Sequence, residues 1–213
     1  NIPVILMAAL LANVNMFAML FWSHPTMSKW PIIGHNWRIG AFDVSDGNPV
    51  PTMGAAYYLN RVNGIQDWFL PLASPKYESY MTIGGVSHEP YQLLLHIIVY
   101  MGVMILGSMM FAKFWIETTN MGAQGVAKQI QGSGMQIPGF RRDPRIVEKV
   151  LERYIPTVTV FSGAMVGLLA AGGDMIGTTG QSSGTGVLLT VGIMIRMYEQ
   201  IGKEQMMEMH PVL

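Results

Sequence analysis

The apolar positions fall into four long runs separated by polar segments of very unequal length. Ile2 to Trp22 is nearly unbroken apolar sequence, interrupted by Asn13 and Asn15. Its length matches the roughly 20 residues a helix needs to cross a bilayer. Pro3 suits a first helical turn, where a missing N–H costs nothing, and Trp22 stands where an interfacial aromatic would. Tyr91 to Ile116 predicts a second span, with Lys113 and Trp115 at its far interface. Ile155 to Ile176 predicts a third, with Pro156 in its first turn and Gly163 and Gly167 at a spacing that lets helices approach closely. The fourth run starts small and apolar at Gly184 and turns charged without losing helical character; Arg196 and Glu199 share a face. Its apolar part alone is short for a span. It becomes long enough, over about residues 185–203, if Arg196 snorkels towards a headgroup region. It then ends at a membrane surface with Lys203, Glu204 and Glu208. Taken alone, the same stretch fits a buried helix of a soluble protein equally well.

Between the first two runs, Ser23 to Pro90 is rich in Pro, Gly, Asn and Trp. A loop of that length usually carries function or local structure of its own. Thr52 to Val62 predicts a short helix between Pro51 and Gly64. Trp30, Trp37 and Trp68 fit a segment resting on the membrane interface, or one packed on itself. Residues 117–154 are polar as well. A short helix is expected over Gln124–Gln131, a turn around Gly132, Gly134, Pro138 and Gly139, and a helix over Arg145–Tyr154 after Pro144. This loop holds Lys128, Arg141, Arg142, Arg145, Lys149 and Arg153, whereas the longer loop 23–90 holds only Lys29, Arg38, Arg61 and Lys76. By the positive-inside rule, residues 117–154 and the C-terminal tail lie in the cytoplasm. Alternating spans then put Asn1 at the cytoplasmic end and residues 23–90 outside. The expected fold class is an all-α membrane protein with four transmembrane helices, spanning about 2–22, 91–116, 155–176 and 185–203.

Composition agrees with that class. Of 213 residues, 50% are hydrophobic and 12% charged, where a soluble domain carries about 25% charged residues. Zero net charge points to no nucleic-acid partner, and the lack of cysteine leaves no disulfide or thiolate site. The 19 methionines mostly stand in for leucine, and some suit a surface that accepts varied partners. The first residue is not Met and no basic leader precedes the first apolar run, so the chain is expected to be one part of a longer protein. There is no nucleophile constellation and no phosphate loop, so nothing catalytic is expected. Two alternatives remain open on the residues alone. One is a haem- or metal-dependent membrane oxidoreductase subunit using His88 and His96, although His88 precedes Pro90 and falls outside the helix. The other is half of a solute transporter, since glycine-interrupted helices can frame a midplane site, although the spans show no ionisable pair to hold an ion.

Three stretches together carry a resemblance. Asn1-Ile2-Pro3-Val4-Ile5-Leu6 opens the first run. Gly139-Phe140-Arg141-Arg142 and Arg153-Tyr154-Ile155-Pro156 bracket the helix of the second loop. Gly184-Thr185-Gly186-Val187-Leu188-Leu189, with Arg196-Met197-Tyr198-Glu199-Gln200, closes the chain. In order, spacing and topology these closely resemble the SecY family, the protein-conducting channel subunit of the Sec translocon, in its archaeal form. The likeness runs over essentially the whole chain and corresponds to the family's C-terminal half, the last four of its ten spans. Two segments depart from the pattern: the outer loop 23–90 matches loosely, and Gly173-Asp174 to Ser183 is more polar than the family leads one to expect. The family's first six spans, which hold the plug helix and the opposite wall of the lateral gate, have no counterpart here.

The resemblance implies part of a channel that moves secretory proteins across the cell membrane and inserts membrane proteins into it, without cofactor or metal. It implies as partners the N-terminal half of SecY, SecE and the third small translocon subunit, the ribosome, unfolded secretory polypeptides with their signal sequences, and membrane lipid. It places Ile5 and Leu189 in the pore ring, Asn1 on the lateral-gate helix, and Arg141, with Arg142 and Arg145 beside it, at the ribosome-docking loop. Each has a plainer reading on the residues alone. Ile5 and Leu189 could be ordinary packing, Asn1 a helix cap, and the arginines a topological anchor.

Overall fold

The computed structural model describes residues 2–44, 49–74, 82–133, 144–177 and 183–209. Helix α1 (Ile2–Ser23) leads into an outer segment of short elements. After a 3-10 turn at Met27–Lys29, strand β1 (Ala41–Asp43) pairs antiparallel with β2 (Val50–Met53). Then come α2 (Ala55–Leu59), a second 3-10 turn at Ile65–Asp67, and α3 (Phe69–Ala73). A second antiparallel hairpin, β3 (Thr82–Ile83) with β4 (Val86–Ser87), closes the segment. Helices α4 (Pro90–Thr118), α5 (Ala123–Gly132), α6 (Pro144–Ile176) and α7 (Gly184–Met209) complete the chain.

The helix boundaries follow from local chemistry. At the start of α4 the Glu89 side chain accepts a backbone N–H one turn on, and the Gln92 side chain accepts the Glu89 N–H at 3.0 Å. This reciprocal cap satisfies two donors that the helix itself leaves open, and Pro90 takes the first helical position at no cost. At the end of α6, Gly177 adopts φ 80° and its N–H bonds the Gly173 carbonyl at 3.2 Å. A residue with a Cβ would be strained in that left-handed closure.

Helices α1, α4, α6 and α7 run up and down beside one another, with α4 against α6 as the most extensive pairing. That pairing rests on the two glycines of α6. A Cβ on Gly163 would stand 2.9 Å from the Ala112 Cβ and 3.0 Å from the Met109 Cα. One on Gly167 would stand 2.8 Å from the Met104 carbonyl oxygen. The two backbones therefore touch where a side chain would hold them apart. Around this contact Val4, Met7 and Leu11 of α1, Tyr100 and Met104 of α4, and Ala170 and Ala171 of α6 form the main buried cluster, with Val62 of the outer segment. On the outer faces, Leu10 and Phe17 of α1, Ile98, Leu106 and Met110 of α4, and Val158, Phe161 and Leu169 of α6 remain exposed. Helices apolar on the outside as well as the inside suit a bilayer rather than water.

Several expectations are corrected. Among the described residues three helices, not the four expected, are long and apolar enough to cross a membrane: α1, α4 and α6. α7 is long enough, but its apolar part ends at Arg196, so its composition falls short. The chain is not all-α, because two small hairpins fold within residues 23–90. The helix expected over 52–62 shrinks to α2: Val50–Met53 is a strand, and Gly54, at φ 81° with a would-be Cβ against the Trp37 carbonyl oxygen, turns the chain before the helix begins. The helix expected over 145–154 and the span expected from 155 are one element, with Pro156 inside it. A proline there removes one ladder bond, from the Glu152 carbonyl. Both residues line a cavity of about 580 Å³ with Glu117, Gln124 and Thr159, where water can reach that carbonyl.

The glycine contact has a direct test. Gly167→Val should destabilise the chain by about 1–3 kcal/mol, the usual cost of forcing extra volume into a packed interface. Ser108→Ala, at a hydroxyl that is fully buried without a partner, should cost little or add stability. Unfolding of the reconstituted protein, followed by tryptophan fluorescence, measures both.

Candidate functional site

A cavity of about 300 Å³ lies between the middle parts of α1 and α4, the end of α6 and the start of α7. From α1 come Ala8, Leu11, Ala12 and Asn15, from α4 Tyr100 and Met104, from α6 Asp174, and from the start of α7 Ser183 and Thr185; Asn60 and Arg61 of the outer segment close it. The α1 contribution follows a helical period, so one face of α1 looks into this space. The same spacing puts Ile5 on that face, one turn beyond Ala8, and Leu189 on the face of Thr185, one turn further along α7. Ile5 is half-buried and packs against the main cluster. Leu189 is 42% exposed. Neither of these two expected pore residues is among those that line the cavity; each stands one helical turn from one that does, Ala8 and Thr185.

The polar rim is organised by Asp174. This side chain is 5% exposed. Its Oδ2 accepts the Tyr100 hydroxyl at 2.6 Å, and its Oδ1 accepts the Gly184 N–H at 2.7 Å. One carboxyl group therefore joins α4, α6 and α7. Hydrogen bonds this short to an acidic side chain are the strong kind. Gly184 is in turn packed so tightly against the Ala170 carbonyl oxygen that no Cβ fits. Two further N–H groups of the first turn of α7 are met locally: Ser183 Oγ accepts the Gly186 N–H at 3.0 Å, and the Ser183 carbonyl accepts the Val187 N–H.

The outer segment is fastened to the same end of the bundle. The Trp68 Nε1–H donates to the Met175 carbonyl at 3.0 Å, and Gly64 and Gly177 approach so closely that a Cβ on Gly64 would stand 3.2 Å from the Gly177 Cα. His96 and His88, the candidate metal pair, serve this attachment. His96 Nε2 lies 2.9 Å from the Asn60 carbonyl, and His88 Nε2 lies 2.9 Å from the Thr52 carbonyl. Both rings lie against Tyr57, at centroid distances of 4.6 and 4.4 Å. Among the described residues no three His, Cys, Asp or Glu side chains are grouped to hold a metal. Burial pushes the Tyr57 phenol up to about 12, with Tyr58 and Asp67 adding to the effect. Tyr57 therefore stays protonated at neutral pH. At the rim of the segment, Trp22 stacks on His35 at 3.8 Å, while Trp30 and Trp37 are exposed and Trp68 packs on the main cluster. The reading of a segment packed on itself thus holds for Trp22 and Trp68.

Of the remaining expected site residues, Arg145 is exposed on the first turn of α6. Asn1, Arg141 and Arg142 lie outside the described residues. Asp174 and Tyr100 carry the polar joint, and the motif reading singled out neither. The available signal was the lone acidic residue at the end of a glycine-rich apolar run, which registered only as excess polarity after Gly173.

Comparisons with known proteins come down on one family. The sequence profile described as SecY matches residues 1–198. The chain is 43% identical over 212 residues to the protein translocase subunit SecY of Halobacterium salinarum, covering 100% of this chain and 39% of that protein. It is 40% identical over 213 residues to that of Methanothermobacter thermautotrophicus, covering 38% of it. The chain thus spans about two fifths of the length of the curated relatives it matches. Among solved structures, one described as "The structure of a protein conducting channel" superposes with a TM-score of 0.68 at 38% identity, covering 100% of this chain and 40% of that one. A second, on the plug domain of the SecY protein, superposes with a TM-score of 0.68 at 37% identity, covering 41% of that chain.

The attachment of the outer segment predicts a local effect. Trp68→Phe keeps the packing and removes the bond to Met175, at a cost of about 1 kcal/mol. Limited proteolysis should then cut within residues 23–90 faster, while the helices stay protected.

Proposed function

We propose that this chain, which belongs to the SecY family, supplies the last four spans of a protein-conducting channel, with a partner stretch of chain providing the rest. The observation that supports it most is the match to a protein-conducting channel over the full length of this chain. Family membership also speaks against the two alternatives, the half-transporter and the haem or metal subunit. In this reading α7 is the fourth span. Its apolar part, Gly184 to Ile195, crosses most of the hydrocarbon, and Arg196 reaches a headgroup region. The cytoplasmic side then holds α5, residues 117–154 and the C-terminal tail. The outer segment 23–90 faces the outside of the cell membrane.

A channel for unfolded chains must admit many sequences and still block ions. Apolar side chains at a constriction do both. They seal around any passing segment without demanding specific hydrogen bonds, and they resist wetting when nothing passes. Ile5 and Leu189 suit that role because both are apolar and each stands one helical turn from a residue that lines the cavity, Ala8 and Thr185. The exposed sides of α1 and α7 are where the remaining channel wall, SecE and the third small subunit would fit. Asn1 would offer a polar contact across the lateral gate, which a sufficiently apolar segment could displace by entering lipid. In a complete channel, Ile5→Asn and Leu189→Asn should each raise resting ion leak or relax signal-sequence selectivity. Reconstituted vesicles and a set of graded signal sequences measure this, and wild-type behaviour of both variants would remove the pore assignment.

Arg141, Arg142 and Arg145 would dock the ribosome, since guanidinium groups grip phosphates in a planar, two-bond geometry. Arg141→Glu should weaken ribosome binding most at low salt, because phosphate contacts release counterions, and should leave topology unchanged. Equal ribosome affinity in variant and wild type across a salt series would leave these arginines as topological anchors only.

A further inference from the structure

We infer that Asp174 is a positioning residue for Leu189: it fixes where α7 starts, and so how deep that side chain stands. The inference deepens the pore reading above and rests on it only for the functional consequence. The geometric part stands on its own observations. Three contacts key the start of α7 into the end of α6. Asp174 Oδ1 accepts the Gly184 N–H at 2.7 Å. Gly184 lies against the Ala170 carbonyl without room for a Cβ, and a Cβ on Gly173 would stand 3.0 Å from the Gly184 Cα. Tyr100 holds the other oxygen of Asp174 at 2.6 Å, so the acceptor cannot swing away without breaking a second bond.

Leu189 lies about 7.5 Å further along the helix axis from this joint at 1.5 Å per residue. A rigid helix transmits a shift at Gly184 to Leu189 undiminished. Along the intervening turn, Leu188 packs against the main cluster, but Val187 and Leu189 are exposed. Below it, Val191, Ile193, Met194 and Ile195 are exposed too. Side-chain packing along α7 therefore holds its axial position weakly, and the polar joint at its start holds it strongly.

Cysteine chemistry tests this, because the chain has no cysteine of its own. In the complete channel, reconstituted in vesicles, Leu189→Cys reports the placement of α7 through its rate of labelling by a water-soluble maleimide. Combining it with Asp174→Ala should change that rate by about fivefold, the factor that one lost hydrogen bond near 1 kcal/mol gives. Tyr100→Phe should change it in the same direction by less. Asp174→Asn should restore most of the wild-type rate, since its amide can still accept from Gly184 and donate to Tyr100. Ser183→Ala is the control, because it removes a cap that does not reach α6. Unchanged labelling in Asp174→Ala and Tyr100→Phe would overturn the inference. So would an equal change in Ser183→Ala, which would mean that the label reads fraying rather than the joint. Should Asp174→Ala fail to fold, Tyr100→Phe decides alone. Ion leak, measured on the same vesicles without the cysteine, separates the two layers. Altered labelling with unaltered leak would keep the positioning role and overturn the pore role of Leu189.

Discussion

In lipid no hydrophobic force drives one helix against another, because the acyl chains are as apolar as leucine. Association then depends on how closely backbones can approach and on which polar groups can meet. The contact of α6 with α4 at Gly163 and Gly167 is the response to this constraint, and the rest of the bundle is arranged around it. The two glycines bring backbone against backbone over more than a turn of helix. Ser108, which lies in the same seam, has its hydroxyl buried without a hydrogen-bond partner. Close approach thus dominates over the satisfaction of one polar atom.

The second device is polar and sits where α6 ends and α7 begins. Asp174 binds one donor from α4 and one from α7. Nearby, Trp68 reaches the last turn of α6. An acidic side chain so buried costs free energy unless its oxygens are met. Both are met here by groups that the helices would otherwise leave short of partners: a phenol facing the bundle and the first N–H of a helix. The arrangement settles three helix ends with one side chain. It also accounts for the polar side chain of Asp174 in the last turn of the otherwise apolar end of α6.

Much of this was legible in the sequence and some was not. The long helices α1, α4 and α6 followed from run length, and the small-residue spacing at Gly163 and Gly167 pointed to close packing. The break expected between Tyr154 and Ile155 did not occur. A proline ends a helix only if the carbonyl it frees has nowhere to go, and here that carbonyl borders a cavity. The hairpins within residues 23–90 were hidden because strands of two to four residues leave no measurable alternation. His88 and His96 looked like a pair by spacing and are one by structure, but the link between them is Tyr57 of α2. That contact crosses a sequence separation no local pattern records. For the same reason Asp174 could be noticed as polar but not assigned to Tyr100 and Gly184.

The uneven composition of α7 now has a physical account. A helix held along its length by packing needs apolar side chains on its inner face throughout. α7 is held chiefly at its first turn, by Asp174 and by the fit of Gly184 against α6. Its later turns can therefore carry Arg196, Glu199, Lys203 and Glu204 without loosening the bundle. The same economy leaves the apolar side chains of α7 from Leu189 to Ile201 exposed on all its faces. The joint at Asp174 holds the end from which all of these turns extend.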